Sequence, residues 1–249
     1  MLAIIGGSGL TRLSTLAIAR REVVRTPYGE PSSALVFGRI MEHDVVFLAR
    51  HGHGHTIPPH RVNYRANLWA LKERGVDSVL AVASVGGISR GHAPGDLVLP
   101  HQLIDYSGGR ESTFFDGGDR NVVHVDFTHP YSPELRQRCL ASAHRSELAL
   151  HDGGVYAAVS GPRLETAAEI DRMERDGATL VGMTGMPETV LAREAGLAYA
   201  SIAVVVNHAA GRGDSAETIA MERIAVVLEQ AMEKVRKLID HFVTAHTLS

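Results

Sequence analysis

Short apolar runs punctuated by glycine set the pattern of this chain. Residues 2–5 are wholly apolar and stop at Gly6-Gly7-Ser8-Gly9, which predicts a buried strand running into a tight loop. Residues 34–37 and 44–49 read as a hairpin around Gly38-Arg39, and its second arm opens into Arg50-His51-Gly52-His53-Gly54-His55. Further strands are predicted over 78–85, running into Gly86-Gly87, and over 96–99, 154–159, 179–183 and 197–206. The last is strongly apolar, as expected of a central strand covered on both faces. Helical spacing predicts helices over 63–74, 133–147, 165–176 and 187–195, with Pro187 as a first helical residue. One long terminal helix, 216–242, carries Ile224, Leu228, Met232, Val235 and Leu238 on its apolar stripe. Strands alternating with helices predict an α/β sheet. No repeat or linker divides the chain, so one domain over 1–249 is expected. Residues 106–121, rich in Gly, Ser and Asp, read as a long loop of the functional or mobile kind.

Composition narrows the partners. At 45% hydrophobic and 21% charged residues, with a net charge of −3, nothing favours nucleic acid or an anionic membrane. No apolar run approaches the ~20 residues that cross a bilayer, and the start lacks the basic and long apolar regions of a signal peptide. The single Cys139 cannot form an internal disulfide, which fits a reducing compartment, and a cytoplasmic location is expected.

The chemistry gathers at strand ends, where α/β sheets bind ligands. Those ends carry Ser8, Arg50-His51, Ser84-Val85-Gly86-Gly87, Met183-Thr184 and Asn207. Hydroxyls, backbone N–H groups beside glycine and an Arg–His pair suit an oxyanion such as phosphate. Each residue also has a plainer reading. Gly6-Gly7-Ser8-Gly9 lacks the third glycine of a dinucleotide motif. Arg50 reads as a surface charge, Ser84 as packing, Thr184 as a helix N-cap, Glu165 as a first-turn helix charge, and Asn207 as a turn cap. The rival chemistry is a zinc hydrolase. His51, His53 and His55 alternate, so on a strand they share a face, and His60 follows. Against it, there is no HExxH motif and no second Cys.

Ordered blocks then carry a resemblance. Ile4-Ile5-Gly6-Gly7-Ser8-Gly9-Leu10, Leu48-Ala49-Arg50-His51-Gly52, Val62-Asn63-Tyr64-Arg65-Ala66-Asn67-Leu68-Trp69-Ala70-Leu71, Ser84-Val85-Gly86-Gly87-Ile88, Gly161-Pro162-Arg163, Gly182-Met183-Thr184-Gly185-Met186-Pro187-Glu188 and Glu194-Ala195-Gly196 resemble the purine nucleoside phosphorylase / methylthioadenosine phosphorylase family, across nearly the whole chain. The resemblance implies an α/β fold with a mixed, partly barrel-like sheet. It also implies a homotrimer, inorganic phosphate as co-substrate, and no metal or cofactor. It assigns Ser8, Arg50, His51, the Ala83–Ser84 backbone and Thr184 to phosphate, Met183 to the ribose hydroxyls, and Leu164, Glu165 and Asn207 to the base. His124 matches a position near the sugar's 5′ end, often given to the neighbouring subunit. Asn207 and His51 are the candidate catalytic residues.

Three departures bear on the substrate. Methylthioadenosine phosphorylases carry Asp where this chain has Asn207, a second Asp where it has Ala209, and Ser where it has Glu165. The Glu165/Asn207 pair resembles enzymes for 6-oxopurines, and an Asn amide can donate to O6 while accepting from a protonated N7. No His occurs over 216–223, where 6-oxopurine enzymes often bind the 5′-hydroxyl; Met221 and Ile224 offer apolar contact suited to a 5′-methylthio group. The expected reaction is phosphorolysis of a 6-oxopurine 5′-methylthionucleoside to hypoxanthine and 5-methylthioribose 1-phosphate. A general inosine/guanosine phosphorylase and a methylthioadenosine phosphorylase are the alternatives, followed by the zinc hydrolase and a non-catalytic nucleoside-binding module.

Overall fold

Strand β1 (Leu2–Gly6) is buried along its whole length and lies parallel between β4 (His43–Ala49) and β5 (Ser78–Gly87). Its side chains alternate between two apolar layers. Leu2 and Ile4 face a layer built with α2 (Pro133–Arg145) and α5 (Met221–Ala245), whereas Ala3 and Ile5 face one built with α1 (Tyr64–Glu73) and α4 (Gly185–Glu194). Covering both faces is what demands an uninterrupted apolar strand. The structure is a computed structural model that describes residues 1–117 and 121–245.

Among the described residues the sheet has eleven strands. The remaining ones are β2 (Ala17–Glu22), β3 (Leu35–Ile40), β6 (Leu97–Leu99), β7 (Gln102–Asp105), β8 (His151–Asp152), β9 (Val155–Ala158), β10 (Leu180–Gly182) and β11 (Ala198–His208). The order is β2-β3-β4-β1-β5-β10-β9-β7, with β11 branching from β5 and carrying β6 and then β8. The sheet is mixed. β4, β1, β5 and β11 run parallel, while β10 meets β5 and β6 meets β11 antiparallel. One more helix, α3 (Ala167–Arg175), follows β9.

The branch at β5 makes the site. On one edge β5 pairs with β11 throughout; on the other it pairs with β1 only as far as Ala81, and with β10 only at Gly86 and Gly87. Residues 82–85 are therefore left between two diverging strands, with backbone groups that need other partners.

Several elements differ from the sequence reading. The β3–β4 turn lies at Met41-Glu42, with Met41 at φ 52°, and not at Gly38-Arg39. Gly38 sits inside β3 because a Cβ there would meet the Ala17 carbonyl of β2 at 2.3 Å. Strand β2 escapes periodicity because it is an exposed edge with no buried face. Helix α3 starts at Ala167, capped by a reciprocal Thr166–Glu169 box, so Glu165 lies outside it and is not a first-turn charge. Strand β11 runs past Asn207 to His208, so Asn207 is not a turn cap. Helix α5 begins at Met221, after a 3-10 turn at Gly213–Ser215. In α4 the regular helix follows Met186, whose φ and ψ are extended, which agrees with Pro187 as a first helical residue. The described part of the 106–121 loop forms no regular element; residues 118–120 of that reading lie outside the described residues.

Candidate active site

A cleft of about 580 Å³ opens where β5 splits. It brings together Ser8 after β1, Arg50 and His51 after β4, Ala83 and Ser84 on β5, Met183 and Thr184 after β10, Asn207 on β11, and Leu164 and Glu165 before α3. Met221 and Ile224 reach it from α5.

Arg50 is not a surface charge: it is 1% exposed. Its Nε and Nη2 donate to the two carboxylate oxygens of buried Glu188 at 2.6 and 2.7 Å, and its Nη1 donates to the Val82 carbonyl at 2.8 Å. That carbonyl belongs to the stretch of β5 whose edge away from β11 has no strand partner, so Arg50 closes the split. Glu188 also accepts from the Tyr199 hydroxyl at 2.8 Å. The guanidinium keeps further N–H donors beyond these three bonds.

Three hydroxyls complete this end. Ser84 Oγ is buried and has no hydrogen-bond partner among the described residues. Thr184 stands at the N-cap position of α4, but its side chain makes no capping bond, so the plain N-cap reading fails. Ser8 Oγ lies 3.4 Å from His55 Nε2, a cleft residue that sequence reasoning did not assign.

His51 Nδ1 lies 2.8 Å from the Ile57 carbonyl. A carbonyl only accepts, so Nδ1 carries the hydrogen and Nε2 presents a lone pair. Burial, and secondarily the Arg50 charge, push the imidazole pKa down to about 4, so it is neutral near pH 7. The histidines do not share a strand face, since β4 ends at Ala49. The His51 and His55 rings meet at a tilt of 56°, centroids 4.8 Å apart, in the cleft, while His53 lines a different cavity. Among the described residues no group of three or more His, Cys, Asp or Glu side chains is placed to hold a metal ion.

At the other end, Asn207 owes its position to a register shift of β11 against β5 between Val205 and Asn207. Such a bulge re-aims a side chain. One Nδ2 hydrogen goes to the His208 carbonyl at 2.6 Å, which leaves the second hydrogen and Oδ1 for a ligand. Glu165 is half-buried, and its carboxyl pKa is raised by desolvation. Met183 packs against Gly161, where a Cβ would fall 2.4 Å from its Sδ; Gly161 also has φ 63°. Glycine there is what lets the 160–165 segment close on Met183.

Two assigned residues are not brought to the cleft. Ala209 is 1% exposed and packs behind Gly86 without lining the site. His124 is exposed and is not among the lining residues. Sequence reasoning also missed Arg110, in the long loop. Its guanidinium donates to the carbonyls of Met183 (2.8 Å), Ser160 (2.7 Å), Val159 (3.3 Å) and Met186. It thereby ties the 159–160 segment to the 183–186 segment. The glycine-rich loop was the signal available; Glu188 had one too, in the Met186-Pro187-Glu188 block.

A split mixed sheet holding an oxyanion nest at one end and an amide–carboxylate pair at the other defines a glycosyl-transferring enzyme of the nucleoside phosphorylase class. Residues 1–244 match the Phosphorylase superfamily, and the chain belongs to that family. It is 50% identical, over 98% of each chain, to a Pseudomonas syringae pv. tomato protein named probable S-methyl-5′-thioinosine phosphorylase. It is 42% identical to the 6-oxopurine nucleoside phosphorylase of Pyrococcus furiosus, over 96% of this chain and 90% of that one. The methylthioadenosine phosphorylase of Schistosoma mansoni in complex with adenine superposes with a TM-score of 0.93 at 32% identity, over 98% of this chain and 91% of that one.

Proposed function

We propose that the chain cleaves S-methyl-5′-thioinosine with inorganic phosphate, giving hypoxanthine and 5-methylthioribose 1-phosphate. The observation that carries this reading is the cleft's composition: Asn207 and Glu165 at one end, no aspartate among the lining residues, and apolar Met221 and Ile224 on the wall. The names of the 50%-identical and 42%-identical relatives support it.

In this reading phosphate sits among Ser8, Arg50, His51, Ser84 and Thr184. Glu188 already neutralises Arg50, so the nest offers directed donors more than net charge. His51 Nε2 can accept the P–OH hydrogen of hydrogen phosphate, which leaves the other oxygens free to face C1′. As the C1′–N9 bond breaks, its electron pair leaves with the purine and positive charge grows on the ribosyl ring beside the phosphate. A phosphate oxygen then bonds to C1′. The departing purine takes a proton at N7 from solvent, matching the one that hydrogen phosphate gives up; Asn207 donates to O6 and accepts from that N7–H, an interaction that strengthens as the base gains charge. Glu165, as carboxylate, accepts from N1–H. The Met183 position meets the ribose hydroxyls, and Met221 and Ile224 meet the methylthio group.

The same proposal has the enzyme work in purine salvage in the cytoplasm, as a single-domain homotrimer without a metal, with His124 serving the neighbouring site. The test is kcat/KM for methylthioinosine, inosine and methylthioadenosine at saturating phosphate, with and without chelator. Methylthioinosine is expected to lead, and chelator to change nothing. Sedimentation gives the subunit count. A lead for inosine favours the general 6-oxopurine enzyme, the reading that the Pyrococcus relative supports.

A further inference from the structure

A second cavity, of about 520 Å³, lies next to the phosphate end of the cleft. One turn lines both: Gly7 and Ser8 face the cleft, Gly9 and Thr11 the second cavity. The second cavity has an apolar floor that includes Val36 and Phe47, and its polar wall is Arg12, Arg21, Arg236 and His53 with Thr11 and Ser14 and no Asp or Glu.

What sets this cavity apart is that three arginines without a carboxylate partner gather on one wall. Arg39, Arg50, Arg65, Arg74, Arg136, Arg163 and Arg212 all pair with carboxylates. Among the described residues, Arg12, Arg21 and Arg236 pair with none, and Arg236 Nε is buried without a hydrogen-bond partner. Three guanidinium groups around one cavity repel one another, and a multivalent anion relieves that repulsion. Their planar forks match phosphate oxygens. A buried donor without a partner also calls for an acceptor from outside the chain.

From these observations we infer that this cavity is a second oxyanion site, one that binds a polyphosphate group and is distinct from the catalytic phosphate nest. Its walls give it a route to the reaction. Gly9, at φ 76°, is pressed against α5 so closely that a Cβ would lie 2.9 Å from Leu228 and Met232. On that helix, Arg236 one turn beyond Met232 lines the second cavity, and Ile224 one turn before Leu228 lines the cleft. A polyanion joining Arg12 to Arg236 pins the turn that carries Ser8 onto α5, so occupancy changes the cleft's phosphate end.

The experiment is calorimetric titration with inorganic tripolyphosphate. The wild type is compared with the triple variant Arg12→Ser/Arg21→Ser/Arg236→Gln and with the cleft variant Thr184→Val. Arg12 and Arg21 are exposed, so the double variant Arg12→Ser/Arg21→Ser covers the case in which Arg236→Gln impairs folding. Tripolyphosphate is expected to bind the wild type and Thr184→Val alike, and to bind the arginine variants at least tenfold more weakly. The KM for inorganic phosphate should stay within twofold in the arginine variants. Absence of binding to the wild type, undiminished binding to the arginine variants, or loss of binding in Thr184→Val would each overturn the inference. None of these readouts depends on which nucleoside the enzyme cleaves.

Discussion

Arg50 and Glu188 form a two-bonded ion pair, at 2.6 and 2.7 Å, with side-chain exposures of 1% and 0%. They lie 138 positions apart in sequence and join the end of β4 to α4. The pair ties this end of the cleft together on its own. Removing one member leaves the other charged, buried and unpaired, at a cost of about 3–5 kcal/mol. Arg50→Ala is therefore expected to lower thermal stability as well as phosphate affinity. Arg50→Met/Glu188→Met should recover most of the stability and none of the phosphate affinity. The measurements are denaturation midpoints and phosphate KM; an Arg50→Ala variant as stable as the wild type would contradict the pairing.

At the base end, Asn207 supplies one free N–H and a carbonyl. Against a 6-amino purine that N–H faces another donor, and each mismatched buried group costs about 1–3 kcal/mol. Asn207→Asp is expected to narrow or reverse the preference for methylthioinosine over methylthioadenosine, read as the ratio of their kcat/KM values. Ala209 lies behind Gly86, so it contributes neither to the preference nor to its reversal.

The apolar contact at the 5′ end predicts selectivity of the usual size for one or two apolar groups, roughly 10–200-fold. Ile224→Ser should shrink the methylthioinosine/inosine ratio, mainly by lowering kcat/KM for the methylthio substrate. Met221, 59% exposed at the cleft's edge, should matter less than Ile224. Equal ratios in wild type and Ile224→Ser would remove Ile224 from the 5′ pocket.

Arg110 binds four carbonyls of the segments that flank Met183 and Leu164, so it is a positioning residue. Arg110→Met should raise the nucleoside KM by about tenfold, the scale of one or more buried hydrogen bonds. Phosphate KM should move less than twofold, and Arg110→Lys should recover only part of the loss, since an ammonium cannot span four carbonyls. A variant that merely loosened the fold would disturb both KM values.

His51 gives a pH dependence with a defined sign. Its folded pKa, about 4, lies below the usual histidine value near 6.5, chiefly through desolvation. Between these values the unfolded chain binds a proton that the folded chain does not. Stability therefore falls as pH drops from about 6.5 toward 4, and is unaffected by this group above that window. His51→Asn should flatten that part of the stability curve, measured as denaturant midpoint against pH. Glu165 acts on activity: because desolvation raises its pKa, the acid limb of nucleoside kcat/KM should lie above the ordinary glutamate range and shift in Glu165→Gln.

The sequence alone determined the layered α/β plan, because strands buried on both faces must be almost wholly apolar, as 2–5 and, but for Ser201, 197–206 are. It also picked out Ser8, Arg50, Ser84 and Thr184, which the fold brings to one cleft, since hydroxyls and a cation at strand ends beside glycine leave a local signature. Edge strand β2 left none, because an exposed ladder needs no apolar face. Tertiary structure decided what depends on distant partners. Only the split of β5 shows why Arg50 is buried, for Glu188 and the Val82 carbonyl reach it from remote parts of the chain. Only the bulge on β11 aims Asn207 into the cleft, and only the Thr166 cap places Glu165 ahead of α3. His53 and His51, two residues apart, line different cavities because the chain turns between them, and no local periodicity encodes which way a glycine-flanked side chain will face.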